Sequence, residues 1–296
     1  MSKLRAYLTL ARPYQYIKNG FVFAPLFFGH KLNQPEAVLA TIKIFIAFCL
    51  TASAVYAFND LKDIEADRQH PVKKSRPLAA GVLSRAEAGV FSAVLLLAGL
   101  AAGLGLLGGW AAALMAAYLA LNLSYSIKLK HVAIIDVVCV AVGFVLRVLG
   151  GGLAAQVWIS HWLVLMTFLL ALFLALAKRR DDLLLAQEGH NLRGSLDGYS
   201  LEFVSLSMVI MAAVLIVGYL LYTVSPEVVG KHGTSNLYLT TVFVIVGLLR
   251  YLQITLVMHK SGAPTMVFLT DIFLQIVVGL WVISFYLLLY VGRQGP

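Results

Sequence analysis

Phe58-Asn59-Asp60-Leu61-Lys62-Asp63-Ile64-Glu65-Ala66-Asp67-Arg68, running on through His70-Pro71-Val72-Lys73-Lys74-Ser75-Arg76-Pro77, is a dense run of acids and bases in a mostly lipid-soluble chain. If it continues a preceding helix at about 100° per residue, Asn59, Asp60, Asp63 and Asp67 share an arc of about 100°. Three carboxylates on one stripe repel each other unless something cationic sits between them. A hard divalent ion such as Mg2+, held by oxygen ligands and bridging to a phosphate, meets that need. The downstream bases Arg68, Lys73, Lys74 and Arg76 are then placed to grip the rest of the phosphate. A solvated loop between two membrane spans would account for the charge, but not for acids at i, i+3 and i+7 beside an Asn.

Outward from this stretch the chain is 296 residues long, 60% hydrophobic and only 12% charged, with a mean hydropathy of +0.87. That composition excludes a water-soluble protein of this size and indicates an integral membrane protein. Apolar runs long enough to span a bilayer lie at 12–29, 37–58, 87–107, 109–126, 132–153, 161–177, 201–224, 236–258 and 271–291. They are continuous rather than alternating, so the expected fold is an all-α polytopic bundle of nine transmembrane helices, a single transmembrane domain over 1–296. The first run contains Lys18 and Asn19 and is expected to start as an interfacial turn. Arg12-Pro13 interrupts the opening apolar residues and no small-residue cleavage site follows, so no cleavable signal peptide is expected.

Most of the 23 basic residues fall on the side that carries the N-terminus, whereas the other side has Lys31, Lys231 and Arg293. This places the N-terminus in the cytoplasm, the C-terminus outside, and the charged site on the cytoplasmic face of the inner (plasma) membrane. A net charge of +9 concentrated there suits anionic lipids and substrates rather than nucleic acid. Cys49 and Cys139 lie within spans, which argues against disulfides.

Further candidates return to the same side. Lys18 and Asn19 look too deep for a simple anchor. Tyr125, Lys128 and Lys130 follow the fourth span and can reach a phosphate. Lys178-Arg179-Arg180-Asp181-Asp182-Leu183 closes the sixth. The offsets 60 to 181 and 125 to 251 suggest two related four-helix halves with the ninth span added. Asp136 and Arg147 share a face of the fifth span, where a structural pairing for Arg147 is the simpler expectation. Asp271 is expected to cap the last helix, and 225–235 to be a plain loop. Small-residue faces on the third and fourth spans permit helix association, including between subunits, without fixing their number.

The pattern Asn59-Asp60-x-x-Asp63-x-x-x-Asp67 followed by Arg76-Pro77 resembles the UbiA superfamily of intramembrane prenyltransferases, which have nine transmembrane helices and bind a donor diphosphate through Mg2+ and two acidic motifs. The usual second motif is replaced here by Lys178-Arg179-Arg180-Asp181-Asp182-Leu183. That departure, with Arg12-Pro13-x-Gln15-x-x-Lys18-Asn19, Asp67-Arg68-x-His70-Pro71-x-Lys73, Arg76-Pro77-x-Ala79-Ala80-Gly81, Leu129-Lys130-His131, Gly143-Phe144-Val145-Leu146-Arg147 and Leu249-Arg250-Tyr251, is similar to the decaprenyl-phosphate phosphoribosyltransferase branch. Asp182 stands where that branch usually has Glu.

The resemblance implies phosphoribosyl pyrophosphate as donor, a polyprenyl phosphate as acceptor, Mg2+ as cofactor and a role in cell-wall biogenesis. Asn59, Asp60, Asp63 and Asp67 would hold Mg-pyrophosphate with help from Asp182. Arg68, Lys73, Lys74, Arg76, Lys18, Tyr125, Lys130, Lys178 and Arg179 would hold the remaining phosphates. Two other readings compete: prenyl transfer from a prenyl diphosphate to an aromatic acceptor, and a lipid or substrate transporter. Transport would place carboxylates near the bilayer midplane, whereas these lie at a helix end.

Overall fold

The computed structural model describes residues 2–69, 73–187, 194–259 and 264–291, and among them helices occur throughout and no strand. Eight described helices are long and apolar enough to cross a membrane. The chain divides into two compact units, Met1–Ile159 and Ser160–Pro296. The first unit contains α1 (Lys3–Ala11), α2 (Ala24–Phe28), α3 (Pro35–Lys62), α4 (Ile64–Gln69), α5 (Arg85–Leu107), α6 (Gly109–Ile127) and α7 (Ile135–Ala155). The second contains α8 (His161–Gln187), α9 (Leu201–Val224), α10 (Pro226–His232), α11 (Thr241–Leu252), α12 (Pro264–Thr270) and α13 (Ile272–Tyr286). Four of the eight candidate spans fall in each unit. The additional element of the expected halves is therefore the first segment, not the ninth.

That first segment, expected as a span over 12–29, is wound as a 3-10 helix over Pro13–Phe23 and only then as α2. With about 2.0 Å of rise per 3-10 residue and 1.5 Å per α residue, Pro13 to Phe28 covers about 30 Å, a bilayer's hydrocarbon thickness. The winding has a reason in its contacts. Three residues of 3-10 helix rise about 6 Å, as do four residues of α-helix, so every third side chain meets every fourth of a neighbour. Tyr16 hydrogen-bonds Ser53 Oγ at 2.8 Å, and Asn19 Nδ2 donates to Cys49 Sγ at 3.2 Å, four residues along α3. Val22, next in the series, is buried in a core with Ile44, Phe48, Met115 and Ala154.

α3 and α7 are the most enclosed of the candidate spans, because small residues let partners approach closely. A Cβ on Gly99 of α5 would strike Thr51 of α3, and one on Gly150 would strike Phe48 and Leu114. At Gly151 the backbone carbonyl of Val22 occupies the space a Cβ would need. A second core, with Ala6, Leu10, Ala57, Ile64, Leu78, Leu83 and Ala88, anchors α1, α4 and the segment after Arg76 around the end of α3.

In the second unit α8 packs along α9. Arg180 on α8 donates to Ser205 Oγ on α9 at 3.1 Å and to the Thr255 carbonyl at 2.6 Å. Thr255 belongs to the π-turn Gln253–Val257 that ends α11. Asp271 caps α13 as expected, accepting from Leu274 N at 2.8 Å, and Arg250 bonds both its oxygens, holding the carboxyl below the usual carboxylate range. The 225–235 segment is not a plain loop, since α10 starts at Pro226, where the missing N–H costs nothing.

Gly151→Ala is expected to lower the unfolding midpoint of detergent-purified protein by the equivalent of about 1–3 kcal/mol, because the Val22 carbonyl cannot yield cheaply. Gly89→Ala, in open space on α5, should leave it unchanged or raise it by up to about 1 kcal/mol. Equal shifts in the two variants would refute the close packing of the 3-10 segment on α7.

Candidate active site

The acidic stretch does not form one unbroken stripe. α3 stops at Lys62, Asp63 sits out of line at φ −97°, ψ 12°, and α4 resumes at Ile64. Asp63 N still donates to the Asn59 carbonyl at 3.0 Å and Asp67 N to the Asp63 carbonyl at 2.7 Å, so the chain rejoins its helical path. The result separates the acids. Asp60 and Asp67 are 2% and 4% exposed, whereas the Asp63 side chain is 33% exposed.

Each carboxylate meets a cation from a different segment. Arg76 Nη1 donates to Asp60 Oδ1 at 2.9 Å and to Asp67 Oδ2 at 2.7 Å, so one guanidinium lies between the two buried acids. Arg12 Nη2 also donates to Asp60 Oδ1. Lys130 Nζ reaches both oxygens of Asp63, at 2.9 and 3.2 Å. Buried charge is tolerable only when compensated and hydrogen-bonded. Three acids facing Arg12, Arg76 and Lys130 satisfy that condition.

Arg12 is the residue that sequence reasoning passed over as a site candidate. It ends α1 in the left-handed conformation, φ 54°, immediately before Pro13. That conformation costs a non-glycine residue roughly 1–2 kcal/mol, and a following proline disfavours helical backbone further. Its bond to Asp60 and its position 5.2 Å over the Tyr56 ring offset the strain. The signal available was an arginine at a helix end directly before proline.

The other sequence candidates divide. Arg68 is exposed and turned to Glu65 at 3.1 Å, with its Nε toward the Ala79 carbonyl. Lys74 and Lys128 are exposed, while Lys73 and Tyr125 are half-buried. His70 and Pro71 lie outside the described residues. In the second unit Arg179 is buried and pairs with Asp182 at 2.7 Å, and Lys178 is half-buried beside it. Asn19, a substrate-binding candidate, instead accepts from Arg147 Nε at 2.7 Å. Arg147 also donates to the Gly143 carbonyl and the Tyr118 hydroxyl, each at 2.7 Å. Its expected structural pairing is therefore with neutral groups, and Asp136 lies eleven residues away, about 16 Å along the helix.

A divalent cation suits the donor set. Asn59 Oδ1 is buried with no hydrogen-bond partner among the described residues and adjoins Asp60 in sequence, and amide and carboxylate oxygens are the ligand chemistry that Mg2+ takes. Among the described residues, however, no three acidic, His or Cys side chains converge on one point. The Arg76 guanidinium holds the position between Asp60 and Asp67.

A family model described as the UbiA prenyltransferase family matches residues 21–277. A decaprenyl-phosphate phosphoribosyltransferase of Corynebacterium glutamicum is 33% identical over 289 residues, 95% of this chain and 85% of the relative. One of Mycolicibacterium smegmatis is 32% identical over 286 residues, 92% and 88% of the two chains. A UbiA homolog from Archaeoglobus fulgidus, solved bound to GPP and Mg2+, has the same fold, with a TM-score of 0.72 over 96% of this chain and 99% of that one at 18% identity.

Replacing Arg76 by Gln should lower the melting temperature in chelator, since it takes from buried Asp67 the cation it pairs with and leaves Asp60 with Arg12 alone. Millimolar Mg2+ should then raise the melting temperature of Arg76→Gln more than that of the unaltered protein, because a ligand of the native state stabilises in proportion to its affinity. Equal Mg2+ responses would show that the cation and Arg76 do not compete for Asp60 and Asp67.

Proposed function

This chain belongs to the UbiA prenyltransferase family, and we propose that it transfers the 5-phosphoribosyl group of phosphoribosyl pyrophosphate to a polyprenyl phosphate, releasing pyrophosphate. The observation that carries this choice within the family is the end-to-end similarity to relatives bearing that activity in their names. The chemistry of the site agrees. A donor with three phosphates and an acceptor with another need many cations, and Arg12, Arg76 and Lys130 already gather at the acidic end of α3.

In the proposed reaction an acceptor phosphate oxygen attacks the anomeric carbon of the donor. The bond from that carbon to the pyrophosphate oxygen breaks, and its electron pair leaves with pyrophosphate. The acceptor is already anionic at neutral pH, so no general base has to remove a proton. Mg2+ held by Asn59, Asp60, Asp63 and Asp67 would neutralise charge that grows on the leaving group. In this reading Arg12, Arg76 and Lys130 bind phosphate oxygens and orient the donor, and Arg68, Lys73, Lys74, Tyr125 and Lys128 are proposed to add to that phosphate binding. Lys178 and Arg179, with Asp182, are the phosphate-binding group proposed for the second unit. The protein works as one transmembrane domain whose site faces the cytoplasm, the side carrying most of its Lys and Arg.

Purified protein given labelled phosphoribosyl pyrophosphate, decaprenyl phosphate and Mg2+ should yield a labelled lipid, and chelation should abolish it. Asp60→Asn and Asp67→Asn should each lower kcat/KM by about 100-fold or more, the usual scale for losing electrostatic stabilisation of a transition state. Turnover of a prenyl diphosphate with an aromatic acceptor, and no labelled lipid, would overturn the reading in favour of ordinary prenyl transfer.

A further inference from the structure

Below the carboxylates the first unit holds a surplus of positive charge. Arg12, Arg76 and Lys130 are matched by Asp60, Asp67 and Asp63. Lys18 and Arg147 are not matched among the described residues. Arg147 is 6% exposed, and the acceptors of its bonds are the neutral Asn19, Gly143 and Tyr118. The rings of Phe48, Tyr118 and Phe144 stand 4.9–6.0 Å from its guanidinium. A guanidinium has five N–H groups, so these three bonds leave donors for another acceptor. Lys18 has no hydrogen bond or ion pair among the described residues, and it directly precedes Asn19, whose Oδ1 accepts from Arg147 Nε at 2.7 Å. Tyr56, whose hydroxyl also lacks a hydrogen-bond partner among them, has its ring 5.2 Å from the Arg12 guanidinium, at the start of the segment that carries Lys18. Lys18 and Tyr56 are half-buried rather than sealed in the core.

Two like charges in a membrane interior are costly without an anion, and such residues are kept where a ligand supplies one. We propose that Lys18 and Arg147, with the hydroxyls of Tyr56 and Tyr118, form a buried subsite for a phosphomonoester, and that its occupant is the phosphate of the lipid acceptor. Naming the acceptor rests on the phosphoribosyl-transfer reading; the anion site itself does not. In-line displacement puts the nucleophile opposite the leaving group. With pyrophosphate at Asp60 and Asp67, the attacking phosphate lies on the inner side of the ribose, toward Lys18. The donor's 5-phosphate has the same chemistry, so the test must separate the two.

Binding of geranyl phosphate and of ribose 5-phosphate is measured by calorimetry in detergent for the unaltered protein, Lys18→Gln, Arg147→Gln and Arg147→Lys. Geranyl phosphate affinity should fall about 30-fold or more in Lys18→Gln and Arg147→Gln, the cost of truncating one buried charged contact. It should fall less in Arg147→Lys, and ribose 5-phosphate should be unaffected throughout. The reverse pattern supports the subsite but assigns it to the donor's 5-phosphate. Unchanged affinity for both ligands overturns it. Lys18→Gln breaks no hydrogen bond, so it decides the matter even if Arg147→Gln fails to fold. A purely structural Arg147 would lower the melting temperature without altering ligand affinity in Lys18→Gln. Absence of labelled lipid from the unaltered protein would overturn the transfer reaction while leaving these binding results standing.

Discussion

Charge compensation where water is scarce is the constraint on which the first unit is built. Asp60 and Asp67 cannot stay ionised and buried unless cations come to them. Those cations are contributed by the junction after α1, the loop after α4 and the connection between α6 and α7. One acidic helix end thus gathers three segments distant in sequence. Arg12 fixes where the 3-10 segment begins, Arg76 draws in the basic loop, and Lys130 brings the turn before α7 to Asp63. Hydrophobic cores on either side do the bulk of the packing, but the ion pairs decide which backbone segments meet.

The interior of the same unit reverses the balance. Around Arg147 the protein provides carbonyl, amide and phenol oxygens and aromatic faces, which soften a buried charge without cancelling it. The acidic end is therefore close to neutral and the interior around Arg147 positive. An enzyme that brings a polyphosphate to one level and a second phosphate to another gains from such a gradient, since the two anions repel one another and need separate partners.

Much of this was legible in the chain. Continuous apolar runs gave the all-helical membrane fold, and among the described residues eight of the nine anticipated spans are helices of sufficient length, two of them completed by 3-10 or π turns. Asp60 does sit at the end of α3, with Asp63 at the break and Asp67 in α4, and Asp271 does cap the last helix. What escaped depends on partners far away in sequence. No local preference marks Asp63 as the break, which follows from its pull toward Lys130 and from Asp67 turning inward to Arg76. The bond of Asn19 to Arg147, 128 positions later, could not be read from either segment alone. The 3-10 winding had a visible trace, with Tyr16, Asn19 and Val22 at every third position. A hydropathy reading over 12–29 averages that pattern away.

The long 3-10 stretch has a mechanical corollary. Recoiled as an α-helix, Pro13–Phe23 would be about 5 Å shorter, and Arg12 could no longer touch Asp60 while Val22 stays seated on Gly151. The segment is thus a tether drawn taut between two anchorage points at different depths. A tilt of α7 against α3 would change the distance this segment bridges, and the arginine that grips the acidic end is the contact that would register it.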